Sequence, residues 1–101
     1  MMFTIKQAEF ICQDLDVPLS DTNIEQMKTY LDAFAVFMER QETYQDLWKA
    51  AGSRDSARNL KSKAMRMEVL DTATHPEVCS DTGLDAINYA AFYTRNVRDG
   101  R

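Results

Sequence analysis

Chain punctuation constrains this sequence more than any other feature. Proline occurs only at Pro18 and Pro76, and glycine only at Gly52, Gly83 and Gly100. The intervening stretches are rich in Ala, Met and Gln, whose side chains lose little freedom in a helix. No segment sustains the polar–apolar alternation of a half-buried strand. The expected fold is therefore all-α: a four-helix, bundle-like single domain over residues 1–101 with one long central helix.

Breakers and caps place the helices. The first is expected over Ile5–Asp14 and stops at "DVPLSDT". There Pro18 disfavours helix at Val17, while Ser20, Asp21 and Thr22 are capable N-caps. Thr22-x-x-Glu25 has the capping-box pattern and opens a long second helix, Asn23–Ala51, with Gly52 as its C-terminal residue. The third is expected over Asp55–Asp71, ending before Pro76. The fourth is expected over Thr82–Arg98, capped by Ser80, Asp81 or Thr82.

The 101 residues are 45% hydrophobic, enough for a modest core; a chain of this size buries about 65% of its unfolded surface. Such a unit gains core by pairing with a copy of itself, so a homodimer or larger assembly is expected through the flank of helix two, at Tyr30, Phe37 and Tyr44. A net charge of −4 argues against nonspecific attraction to nucleic acid or anionic lipid. Cys12 and Cys79 lack metal-ligand spacing and the chain has one histidine, so both are expected to be free thiols in a reducing cytoplasm. No apolar run is long enough for a bilayer and no signal peptide or lipidation motif is visible; a soluble, cytoplasmic chain with no membrane partner is expected.

The apolar faces contain polar residues. Helix two carries Ile24, Met27, Leu31, Phe34 and Met38 at helical spacing, widened by Tyr30 and Phe37. The stripe then meets Gln41, Glu42 and Gln45 before Trp48, and Glu39 lies one turn before Glu42. On helix three, Lys63 projects from the side of Leu60, Ala64, Met67 and Leu70, with Arg66 flanking it. In "LDAINYAAFYTR", Leu84, Ile87 and Ala91 form a face with Asn88 at its edge and Asp85 one turn earlier. A buried amide without partners costs about 1–3 kcal/mol, so another helix or a ligand must supply them. The plain alternatives are a Glu42–Lys63 ion pair, a helix-start cap at Thr82-x-x-Asp85, and an Asn88 bond to a neighbouring carbonyl. Several such groups on converging faces raise the odds of a site.

The segments "ERQETYQDLWKAAG", "LKSKAMRMEVL" and "DTGLDAINYAAF" resemble, in that order, small helical bacteriophage proteins of the first nucleotide-modification-associated domain family. The matching positions are Tyr44 and Trp48, Lys63 and Arg66, then Asp85, Ile87, Asn88, Tyr89 and Ala90. A glycine commonly follows the tyrosine in that family; Gln45 stands here, which implies that helix two continues through Trp48. More remotely, the chain is similar to the all-α nucleotide pyrophosphohydrolases of the MazG and dimeric dUTPase group. That group holds Mg²⁺ with E-x-x-E on one helix and E-x-x-D on another. Glu39, Glu42 and Asp85 match three of these acids; Thr82 stands at the fourth position, with Asp81 the nearest acid.

These resemblances imply a phage-encoded protein that binds or processes a nucleotide, with possible pyrophosphohydrolase-like chemistry. Lys63 and Arg66 would contact phosphate, and Glu39, Glu42 and Asp85 would hold Mg²⁺. Trp48, Asn88 and Tyr89 would contact the nucleotide. The alternative is a non-catalytic phage accessory protein that binds a host protein or sequesters a nucleotide signal.

Overall fold

The computed structural model describes residues 3–40 and 45–101. Among them are four helices and no strand: α1 (Ile5–Asp14), α2 (Asp21–Glu39), α3 (Leu47–Val69) and α4 (Pro76–Arg98). The all-α architecture is as expected. Helix α4 is the common partner, packing along α3 most closely and on α2, while α1 lies against α2. No helix among the described residues is long and apolar enough to cross a membrane. Both cysteines are free, Cys12 buried and Cys79 partly covered.

Local side-chain chemistry sets the starts. Helix α1 opens with a capping box, in which the Gln7 N–H donates to Thr4 Oγ1 at 3.2 Å and the Thr4 N–H to Gln7 Oε1 at 2.8 Å. Helix α2 starts two residues earlier than expected, because Ser20 accepts from the Asn23 N–H at 3.1 Å. Asn23 in turn donates its amide to the Pro18 carbonyl at 2.6 Å. The Thr22-x-x-Glu25 pattern therefore falls inside the helix.

The expected continuous helix from Asn23 to Ala51 does not form. Helix α2 ends at Glu39, and a new helix begins at Leu47. Gln45 itself adopts the left-handed conformation, φ +42°, which non-glycine residues visit rarely. Gly52 does interrupt helix, as expected, but as a kink within α3 at φ +82°, ψ −177°. That combination is essentially open to glycine alone.

Helix α4 also starts earlier than expected, six residues before Thr82. Pro76 occupies its first turn, where the missing N–H has no partner to lose. Thr82 is buried within the helix and donates its hydroxyl to the Val78 carbonyl at 2.7 Å; it caps nothing.

The buried faces are rotated from the aliphatic stripes. On α2, Ala33 is buried and Phe37 packs edge-on to Phe92, with centroids 5.7 Å apart, while Phe34 and Met38 are exposed. Met67 and Ala64 on α3 and Ala91 on α4 are also exposed, whereas Ser56, Thr82, Phe92 and Asn96 are buried. Close helix approach favours small and hydrogen-bonded residues here, because every buried side-chain polar atom among the described residues has a partner.

Candidate functional site at the α2, α3 and α4 junction

Asp85 is the meeting point. One carboxylate oxygen lies 2.8 Å from Arg40 Nη1, just past the end of α2, and the other lies 3.5 Å from Lys63 Nζ on α3. The carboxylate side chain is 14% exposed, against 24% for Lys63 and 45% for Arg40. Both cations are thus reachable from solvent while the acid is largely covered. Arg40 is the C-cap of α2, and its N–H still donates to the Val36 carbonyl at 3.1 Å, so the last turn of that helix positions it against the cluster.

Asn88 faces α2 and donates its Nδ2 to the Ala33 carbonyl at 3.0 Å. This is the neighbouring-helix bond, one of the alternatives open from sequence. Glu42 and Tyr44 lie outside the described residues. Glu39 and Arg66 are both exposed. Among the described residues, no group of three or more Asp, Glu, His or Cys side chains is placed to hold a metal ion.

The aromatic residues form an adjoining cleft. Trp48 stacks on Phe92 with centroids 4.8 Å apart, and Tyr89 meets the same ring edge-on at 5.8 Å. Together with Leu47, Ala51, Asp55 and Asn59 they line a cavity of about 130 Å³. Asn59 lies one helical turn before Lys63, and Tyr89 one turn after Asp85, so the cleft and the ion cluster adjoin along the α3–α4 seam. The Trp48 ring is also held by cations, Arg101 at 5.6 Å and Lys49 at 5.5 Å from its centroid.

Two contributors were missed in the sequence reading. Arg40 sits beside Glu39 in "MERQET" and carries no periodic signal of its own, because it lies off the apolar stripe of α2. Asn96 is fully buried and donates to the Trp48 carbonyl at 3.0 Å and to Ser56 Oγ at 3.3 Å. It accepts from Arg101 Nε at 2.9 Å. Its signal was present, since Asn88, Phe92 and Asn96 recur every four residues on one face.

The same latch fills the α3 kink. The Ser53 N–H, which the kink deprives of a helical acceptor, donates to the Arg101 carbonyl at 2.8 Å, and the Arg101 N–H donates to the Asn96 carbonyl at 2.7 Å. The kink, the latch and Trp48 form one packed unit beneath the cleft. Compared with known protein families, curated proteins and solved structures, the chain matches none, and the phage-family resemblance rests on its motifs alone.

Proposed function

We propose that the protein binds a nucleotide or a nucleotide-derived phosphate compound at this junction. Lys63 and Arg40 take the phosphate, and the Trp48–Tyr89 cleft receives part of the base. The observation that carries this reading is the sharing of one carboxylate by two solvent-reachable cations from different helices, beside an aromatic cleft. A phosphate offers more acceptor oxygens than the carboxylate, and it exchanges one charge-assisted set of bonds for another. The cleft is smaller than the roughly 300–1,000 Å³ of a typical ligand pocket, so it accommodates an edge of the ligand rather than the whole of it.

Arg66, one turn beyond Lys63, lies within reach of a longer phosphate chain. Mg²⁺ enters this reading bound to the phosphates, since that ion keeps several waters and uses one or two protein carboxylates; Glu39 and Asp85 are the described candidates.

Isothermal titration with nucleoside mono-, di- and triphosphates, with and without Mg²⁺, tests it. Saturable binding is expected, and Lys63→Ala should weaken it by about 1.5–3 kcal/mol, the value of a hydrogen bond to a charged group. Absence of binding by every nucleotide at millimolar concentration would overturn the reading.

A further inference from the structure

The chain leaves more surface open than a compact monomer of its size. It exposes 7566 Å², whereas a folded monomer of 11.6 kDa is expected to expose roughly 5,800 Å². Its radius of gyration is 15.4 Å, against about 13 Å for a compact domain of this length. The buried apolar residues among those described are only Ala8, Cys12, Ala33 and Phe92. The surplus of about 1,700 Å² amply covers the roughly 800 Å² that one partner contributes to a standard interface.

Part of the open apolar surface is ordered as a single stripe on α2. Tyr30, Phe34 and Met38 are 59%, 46% and 46% exposed, and they recur every four residues on one face. The charged residues Asp21, Glu25, Lys28, Asp32 and Glu39 lie on the opposite side of the helix by the same spacing. Ala33 and Phe37, on one flank of the stripe, face α4. Leu31, on the other flank, joins Phe3, Lys6, Gln7, Phe10 and Ile11 in lining an apolar groove of about 330 Å³ beside α1. The stripe thus runs between a flank packed on α4 and a flank that borders the α1 groove, and it bears no charge. A solvated helix face carries charges; this one is built for burial.

We propose that this stripe is the seam of a two-fold dimer, packed antiparallel on the same stripe of a second copy of the chain. Phe34, midway between Tyr30 and Met38, lies at the axis and meets its own copy, while Tyr30 meets Met38 of the second copy. The uncharged face suits its own copy, because two-fold pairing sets like against like and would oppose identical charges. A basic or acidic partner finds nothing on the stripe to select it. The seam differs from the flank expected from sequence, because Phe37 turns inward onto Phe92 and Phe34 takes its place.

Sedimentation velocity at micromolar concentration, with circular dichroism to verify folding, tests the seam. The parent chain is expected at twice the 11.6 kDa of one copy. Phe34→Asp should weaken association by roughly 30-fold or more, the size of a central contact at an interface. Tyr30→Glu should weaken association as well, and it tests the same seam should Phe34→Asp fail to fold. Val69→Glu, at an exposed position on α3, should leave the dimer unchanged. Phe34→Cys in a Cys79→Ser background should cross-link to itself on oxidation, which two-fold placement of residue 34 requires. A monomer throughout the concentration range would overturn the proposal, as would a dimer indifferent to both stripe substitutions. A dimer disrupted by Phe34→Asp but unable to cross-link through residue 34 would overturn the two-fold placement.

Discussion

The side-chain amide of Asn88 donates to the backbone carbonyl of Ala33, 3.0 Å away, and so ties the middle of α4 to the middle of α2. Ala33 is buried, and its small side chain lets the helices approach closely enough for this bond. Asn88→Ala should therefore cost about 0.5–1.5 kcal/mol of stability, the net value of a neutral hydrogen bond. Urea denaturation measures that loss, and titration with nucleotide measures the rest. A fall in affinity with unchanged stability would show that Asn88 contacts ligand instead of α2.

Asp85→Asn separates two roles for the carboxylate. If Asp85 competes with phosphate for Arg40 and Lys63, the substitution should tighten Mg²⁺-free nucleotide binding by up to roughly 5-fold, since a partly exposed ion pair is worth about 1 kcal/mol or less. If Asp85 holds the ion that accompanies the phosphates, binding in Mg²⁺ should weaken instead. Paired titrations with and without Mg²⁺ give the answer.

Gly52→Ala should be among the most damaging single substitutions. The backbone at φ +82° and ψ −177° is closed to residues with a Cβ, and that atom would lie 3.0 Å from the Arg101 carbonyl oxygen. Strain of this kind costs about 1–3 kcal/mol. The thermal midpoint should fall, and Trp48 fluorescence should change with it, since the latch holds the Trp48 carbonyl through Asn96.

Gln45→Gly should act in the other direction. Gln45 sits at φ +42°, where a side chain costs about 1–2 kcal/mol. Glycine removes that strain but adds freedom to the unfolded chain, so a net gain of about 0.5 kcal/mol or more is expected. Gln45→Val should destabilise. Equal midpoints for the three chains would contradict the left-handed turn.

Asp71 carries a titration with a clear direction. The Thr74 hydroxyl, 2.6 Å away, and the Ala73 N–H, at 3.0 Å, both donate to its carboxylate and hold its pKa below the usual carboxylate value. A carboxyl lowered in the folded state contributes stability above its unfolded pKa and loses that contribution as pH falls through the folded one. Carbon-detected NMR titration should place Asp71 below the usual aspartate value. A value at or above the usual one would show that the turn before α4 is open in solution.

Helical class, the reversal near Pro18 and the interruption at Gly52 follow from local chemistry, and the sequence alone determines them. Proline removes a donor, glycine admits positive φ, and long unbranched side chains favour helix wherever they lie. That Lys63 and Asp85 lie on converging helix faces was also legible, although the ion pair expected from sequence was Glu42–Lys63 and Asp85 was expected as a cap or Mg²⁺ ligand. Tertiary structure decided the rest. It ended α2 at Glu39 and set Gln45 in a left-handed conformation, which no propensity requires, and it brought α2 and α4 together so that Arg40 meets Asp85. It also chose between competing faces of amphipathic helices, covering Ala33, Ser56 and Asn96 in place of Phe34, Met67 and Ala91. Periodicity reports that a face is apolar, but which face is covered depends on how closely helices approach and which amides find partners. Those are properties of pairs of helices, and no single segment encodes them.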